Sequence, residues 1–171
     1  MNIVKILQYI NENKKIPNTR MGGGVIKLKR KIYRLILKYE CNKKNSYIPE
    51  TADIGKNIYF PHGITGIFIS QGASIGENVT IFHQVTIGSN TLKDSKTFGA
   101  PKIGNNVYIG AGAKIIGKVI IGDNVRIGAN AVVTTDIPNN ATVVLEKPRI
   151  IKNSDKRDNR FVQFNDSDNG N

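Results

Sequence analysis

The chain has 171 residues, 39% of them apolar, with a single cysteine, no tryptophan and a formal charge of +12. That is enough for one compact domain with short appendages, and it excludes an internal disulfide framework. Lys5 and the run from Glu12 to Lys15 break up the N-terminal apolar stretch, so neither a signal peptide nor a membrane span is expected, and the cytoplasm is the expected compartment. Residues 1–47 hold 12 Lys or Arg against Glu12 and Glu40, a net of +10, which leaves only +2 for everything after them. The main body therefore lacks the basic groove with stacking aromatics that a nucleic-acid reader needs, and no nucleic-acid partner is expected.

Residues 1–46 read as a basic helical segment. Ile3, Ile6, Leu7 and Ile10 have helical spacing, the pattern stops near Pro17, and Gly22 to Gly24 reads as a joint. A second helix is expected from Val25 to Tyr39, with Leu28, Ile32, Leu35, Ile36 and Tyr39 on one side and Lys27, Lys31, Arg34 and Lys38 on another. Such a helix packs its apolar side on the main body or on a neighbouring subunit. Alternatively, residues 25–39 rest on an anionic membrane, which would put the protein at the inner face of the membrane.

Residues 47–152 form the main domain. From 69 to 137 an aliphatic residue returns every sixth position: Ile69, Ile75, Ile81 and Ile87, then Ile103, Ile109, Ile115, Ile121, Ile127 and Val133. A smaller apolar residue follows four positions later, as at Val79, Val107, Ala113 and Ala131. No helix has a period of six. Alternation along a strand lets the fourth and sixth positions of a unit point inward together, so each hexad reads as a short strand and a corner, repeated into a parallel β-solenoid. Gly follows the aliphatic residue at Gly76, Gly88, Gly104, Gly110, Gly122 and Gly128, and Asn comes two later at Asn78, Asn90, Asn106, Asn124 and Asn130; both types tolerate positive φ at a tight corner.

Two interruptions break the period: a three-residue slip placed at Gly66–Phe68, and an excursion over 89–102 that reads as a projecting, flexible loop. Residues 153–171 are polar and read as a disordered tail, in which Phe161, Val162 and Phe164 are the only candidates for docking.

The only two histidines, His62 and His83, both fall at the third position of a hexad, in FPHGIT and IFHQVT. That position is a corner with the side chain outward. Their 21-residue separation is three hexads plus the slip, so both belong to one corner of adjacent coils, beside the two interruptions, and the same corner further on holds Ala111 and Ala129. Small residues there leave a shallow groove. An imidazole can take a proton from an alcohol that is otherwise a poor nucleophile. Two His positions do not make the three-ligand set of a catalytic zinc, so no metal is expected. Cys41 lies outside the motif.

The stretch from Ile48 to Ile151 resembles the hexapeptide-repeat acyltransferases, in the serine O-acetyltransferase-like branch with its sugar-modifying relatives. The resemblance rests on PHGITGIFIS, VTIGSN, PKIGNNVYIGAGAKIIGKVIIGDNVRIGANAVV and DIPNNATVV. It implies a left-handed parallel β-helix and a homotrimer with acetyl-CoA in a groove between subunits. By the same matching, His62 corresponds to the catalytic base, and Gly88, Ser89, Lys102, Ala111 and Ala129 line the cofactor groove. Lys147 and Arg149 meet the nucleotide phosphates as point charges. Backbone amides by the groove would stabilise the oxyanion.

Serine acetyltransferases carry an Asp before this His, an Arg-His pair before the Pro-Lys-Ile that closes the loop, and a carboxylate some fifteen positions upstream. Here those positions are Pro61, Gly99 with Ala100, and Tyr47, and the pattern VVGxPA near the end reads VVLEKPR. With those groups missing, and His83 matching relatives that acetylate sugars, the expected activity is O-acetylation of a sugar hydroxyl in surface polysaccharide synthesis, His83 orienting the acceptor. Serine O-acetylation for cysteine synthesis is the alternative, and a solenoid that acts only as a scaffold is the third reading.

Overall fold

In the computed structural model the described residues are 3–13, 23–152, 154, 156, 157 and 159; Pro17, Gly22, Phe161, Val162 and Phe164, with the expectations attached to them, lie outside these. Twelve short parallel strands make three four-stranded sheets, each coil contributing one strand to each face of a triangular prism. Face one stacks β1 (Asp53–Ile54), β3 (Ser74–Ile75), β6 (Lys102–Ile103) and β9 (Ile120–Ile121). Face two stacks β4 (Thr80–Ile81), β7 (Tyr108–Ile109), β10 (Arg126–Ile127) and β12 (Thr142–Val143). Face three stacks β2 (Phe68–Ile69), β5 (Thr86–Gly88), β8 (Lys114–Ile116) and β11 (Val132–Val133). The fold is the left-handed parallel β-helix of hexapeptide repeats.

The six-residue period is what this winding requires. In each strand the second residue points into the prism, and pairing is in register from coil to coil: Ile69 with Ile87, Ile87 with Ile115, Ile81 with Ile109, Ile109 with Ile127. These aliphatics and the smaller apolar residues between them are almost wholly buried and fill the axis of the prism as one column. Burying each such side chain is worth roughly 1.5–3 kcal/mol, which lets a narrow solenoid stand with Phe60 as its one buried aromatic among the described residues.

The glycines and asparagines at the corners divide their work differently from the sequence expectation. Positive φ falls on Asn78, Asn106, Asn124 and Asn130, whereas Gly76, Gly104, Gly110, Gly122 and Gly128 have ordinary φ. Most of those glycines sit where coils approach closely: a Cβ on Gly76 would lie 2.6 Å from the carbonyl oxygen of Gly104, and one on Gly110 2.6 Å from the Ala129 amide nitrogen. The corner asparagines are held by one another. Asn106 Nδ2 donates to Asn124 Oδ1 at 2.8 Å, and Asn124 Nδ2 to Asn140 Oδ1 at 2.9 Å, a ladder along the edge between faces one and two. Asn90 departs from this pattern. Its φ is not positive, and its side chain instead donates to Ser95 and Thr97 inside the loop.

Helix α1 (Ile3–Glu12) buries Ile6, Leu7 and Ile10 against the first coil, and Asn11 Nδ2 donates to the Ile54 carbonyl at 2.5 Å. It covers an otherwise open end of the stack, as a terminal cap must. Helix α2 (Gly23–Lys43) begins earlier and ends later than the spacing indicates, and Gly23 and Gly24 belong to its first turn instead of a joint. Its inward face is not the expected one. Leu37 and Cys41 are buried, while Leu28, Ile32, Leu35 and Tyr39 are exposed.

Burial pushes the Cys41 thiol up from its ordinary pKa; a hydrogen bond with the Ile48 backbone opposes this and the charge of Glu40 adds to it. The folded chain thus holds this proton more tightly than the unfolded chain. The contribution to stability is present below the unfolded thiol's pKa and is lost as pH rises through the folded value. At neutral pH Cys41 should react with an aromatic disulfide reagent at least about tenfold more slowly in buffer than in urea, since the thiolate is the nucleophile.

Candidate active site

The edge between faces two and three is built from the corners 60–67, 82–85, 110–113 and 128–131. In each of them an outward residue is followed by one with left-handed backbone: His62 by Gly63 (φ 67°), His83 by Gln84 (59°), Ala111 by Gly112 (73°) and Ala129 by Asn130 (57°). The chain reverses at the second residue, so the first must project from the prism. Hydrogen bonds tie the corners in series: Gln84 N–H to the Thr65 carbonyl, Gly112 N–H to that of His83 and Asn130 N–H to that of Ala111.

The slip sits at this edge, but ahead of Gly66–Phe68. Tyr59 pairs with Thr80 and Phe68 with Thr86, so the three additional residues fall between those two pairs, in the turn over 60–67. Ile64 from this turn is buried and anchors it. In the backbone series it is the Thr65 carbonyl that meets the Gln84 N–H, yet the His62 side chain reaches His83. Nδ1 of His62 lies 2.8 Å from Nδ1 of His83, the ring centroids being 4.9 Å apart.

A contact between two Nδ1 atoms allows one proton between them, and where it sits fixes the chemistry. If His62 holds it and donates to His83, the Nε2 of His62 has a free lone pair and can accept a proton from a substrate. In the opposite arrangement His62 Nε2 carries a hydrogen and can only donate. His83 as acceptor thus selects the basic tautomer of His62, and after proton transfer it receives a charge-assisted hydrogen bond from the imidazolium.

Phe82, which the sequence reading passed over, stands edge-on to His62 at 5.2 Å and 87° and leans on Tyr108 at 5.1 Å. Lys114 was missed as well: its Nζ donates to the carbonyls of Gln84 and Gly112, at 2.7 and 2.8 Å, and ties the two corners together. Phe82 is adjacent to His83 in the same hexad, a position that could have signalled it. Lys114 has no comparable mark.

The remaining candidates are divided between edges. Ala111 and Ala129 share the histidine edge. Gly88 ends β5 and Ser89 opens the loop at the next edge, between faces three and one, and Lys102 follows on face one beside a hollow of about 230 Å³. The loop therefore leaves from a different corner from the histidines. It is also closed on itself, with Asn90 and Gly99 exchanging backbone hydrogen bonds at 2.9 Å. Lys147 and Arg149 are exposed in the irregular segment after β12. Tyr47, in place of the upstream carboxylate, receives a hydrogen bond on its hydroxyl from Gln71 Nε2 at 3.3 Å. Among the described residues no three His, Cys, Asp or Glu side chains gather as a metal set.

Residues 100–135 match the family of bacterial transferase hexapeptide repeats. A serine acetyltransferase of Helicobacter pylori is 43% identical over 100 residues, covering 58% of this chain and 57% of that protein. Among solved structures, serine acetyltransferase isoform 3 of Entamoeba histolytica, in complex with cysteine, superposes with a TM-score of 0.63 at 25% identity, over 89% of this chain and 61% of that one. A serine acetyltransferase in complex with CoA gives 0.61 at 26% identity, over 82% and 52%.

The chain spans just over half the length of that curated relative. These relatives overturn the expectation of a sugar acceptor. That expectation leaned on His83 as an acceptor-orienting group, whereas His83 is engaged with His62 through Nδ1. It leaned also on side chains missing at Pro61, Gly99 and Ala100, and a missing contact does not specify what replaces the ligand. With the repeat, the coil and the relatives agreeing, the chain belongs to the hexapeptide-repeat acyltransferases, in their serine acetyltransferase-like branch.

Proposed function

We propose that the protein is an acetyl-CoA-dependent O-acetyltransferase that transfers acetyl to the hydroxyl of L-serine. The observation that carries this is the 2.8 Å contact between His62 and His83 on a solenoid whose named relatives are serine acetyltransferases. Nε2 of His62 takes the hydroxyl proton as the serine oxygen attacks the thioester carbonyl. The tetrahedral intermediate collapses with loss of the CoA thiolate, which receives that proton from His62. Among the described residues the contacts of the pair include neither Ser nor Cys, which favours direct transfer, and the products are O-acetylserine and CoA.

Gly88, Ser89 and Lys102 lie one edge away from Ala111 and Ala129, an arrangement that fits a cofactor groove shared between two copies of the chain. This supports a homotrimer with sites between subunits, in which Lys147 and Arg149 face the phosphates. The setting is cytoplasmic.

The test follows release of the CoA thiol with acetyl-CoA and L-serine, with mass-spectrometric detection of O-acetylserine. Serine-dependent release is the expected result. Binding of CoA by calorimetry without serine-dependent release would overturn the acceptor, and absence of CoA binding would leave the scaffold reading in its place.

A further inference from the structure

Helix α2 carries two apolar stripes on opposite sides. Leu37 and Cys41 point inward at 4% and 5% exposure. Opposite them, Val25, Leu28, Ile32, Leu35 and Tyr39 follow the alternating three- and four-residue spacing of a single helical stripe, and their exposures run from 45% to 74%. At 1.5 Å per residue the stripe is roughly 20 Å long. A contiguous apolar strip of that length on a helix marks an interaction surface.

The charges beside it decide what covers it. Lys31 and Lys38 border the stripe on one side, with Lys27 behind them, and none of the three has a partner among the described residues. Three other cations of the helix are already engaged: Arg34 with Glu50, Arg30 with the Asn13 carbonyl, and Lys29 over the rings of Tyr9 and Tyr33. If the stripe of a second copy covered this one, Lys31 and Lys38 would flank that interface in both copies, with no acidic residue at the flanking positions to answer them. An anionic bilayer accepts both features: the stripe enters the boundary between headgroups and acyl chains, and the lysines meet lipid phosphates.

We infer that α2 lies in the plane of an anionic membrane surface, its stripe from Val25 to Tyr39 inserted and Lys27, Lys31 and Lys38 against the headgroups. The association is peripheral, since no described helix is long and apolar enough to cross a membrane. It does not depend on acetyl transfer.

The experiment is flotation of the full chain with vesicles of phosphatidylcholine alone or mixed with phosphatidylglycerol, at low and high salt. Wild type should float with the mixed vesicles only, and high salt should release it. Leu28→Ser with Leu35→Ser, and separately Lys31→Glu with Lys38→Glu, should each reduce the floating fraction at least about tenfold while circular dichroism stays unchanged. Failure of wild type to float with the anionic vesicles overturns the inference. So does a fall in solution mass, by light scattering, in the Leu28→Ser, Leu35→Ser protein, because the stripe would then be a contact between copies.

Discussion

Replacing His62 by Ala lowers serine-dependent release of CoA by about 10²- to 10⁴-fold, the range that general-base catalysis supplies, and leaves solution mass and melting temperature at wild-type values. The second half of this expectation follows from where the side chain sits. His62 is exposed at a corner, and its contacts are with the rings of His83 and Phe82 and not with the buried column. Removing it opens no cavity in the prism. Turnover within a factor of a few of wild type would reject the base assignment. Replacing His83 by Ala tests the tautomer argument separately. His62 remains but no longer has an acceptor at Nδ1, so kcat should fall while KM for serine stays close to wild type. If His83 instead gripped the acceptor, KM would rise.

The parts of the fold legible in sequence are those set by a local period. Inward pointing at the fourth and sixth positions of a hexad follows from strand alternation alone, which is why Ile81, Ile109 and Ile127 could be placed in one column. The shared edge of His62 and His83 came from the same counting, because 21 residues is a whole coil plus an insertion wherever within the corner the insertion falls. What counting does not fix is the point of that insertion. Gly63 and Gly66 both have the left-handed backbone that a turn needs, and only the pairing of Phe68 with Thr86 shows that the additional residues come earlier. Nearness in sequence suggests that the loop at 89–102 lies beside the histidines, although Ser89 lies a full face further around the coil.

Helix α2 shows a different ambiguity. It has one apolar stripe of five residues and another anchored by Leu37 and Cys41, and spacing favours the larger as the packed one. The smaller is the one that meets the first coil, because Ile48 and Ser46 bring the chain back against it. The acceptor is ambiguous in sequence for a related reason. Pro61, Tyr47, Gly99 and Ala100 mark which contacts to serine are absent, and the absence of a usual contact does not specify a different ligand.

Gly110→Ala should be among the most destabilising single-methyl changes available in the solenoid. Its added Cβ would stand 2.6 Å from the Ala129 amide nitrogen and 2.9 Å from the Gly128 carbonyl carbon and the Ile127 carbonyl oxygen. All of these are backbone atoms of the next coil, and Gly110 N–H already donates to the Ile127 carbonyl at 2.8 Å. No rotamer change relieves the clash, so β7 and β10 must separate and stretch the bonds between them. Overpacking of this kind costs about 1–3 kcal/mol, and here the upper end applies because the obstacle is main chain. For a protein of this size that lowers the melting temperature by roughly 6–12 °C, compared at fixed protein concentration if the chain is oligomeric. Gly24→Ala makes the same chemical change where a Cβ meets nothing within 4 Å, in the first turn of α2. Helix propensity then acts alone, and the variant should be neutral or more stable by up to about 1 kcal/mol. Equal melting temperatures for the two variants would mean that the corner glycines do not owe their place to the closeness of the coils.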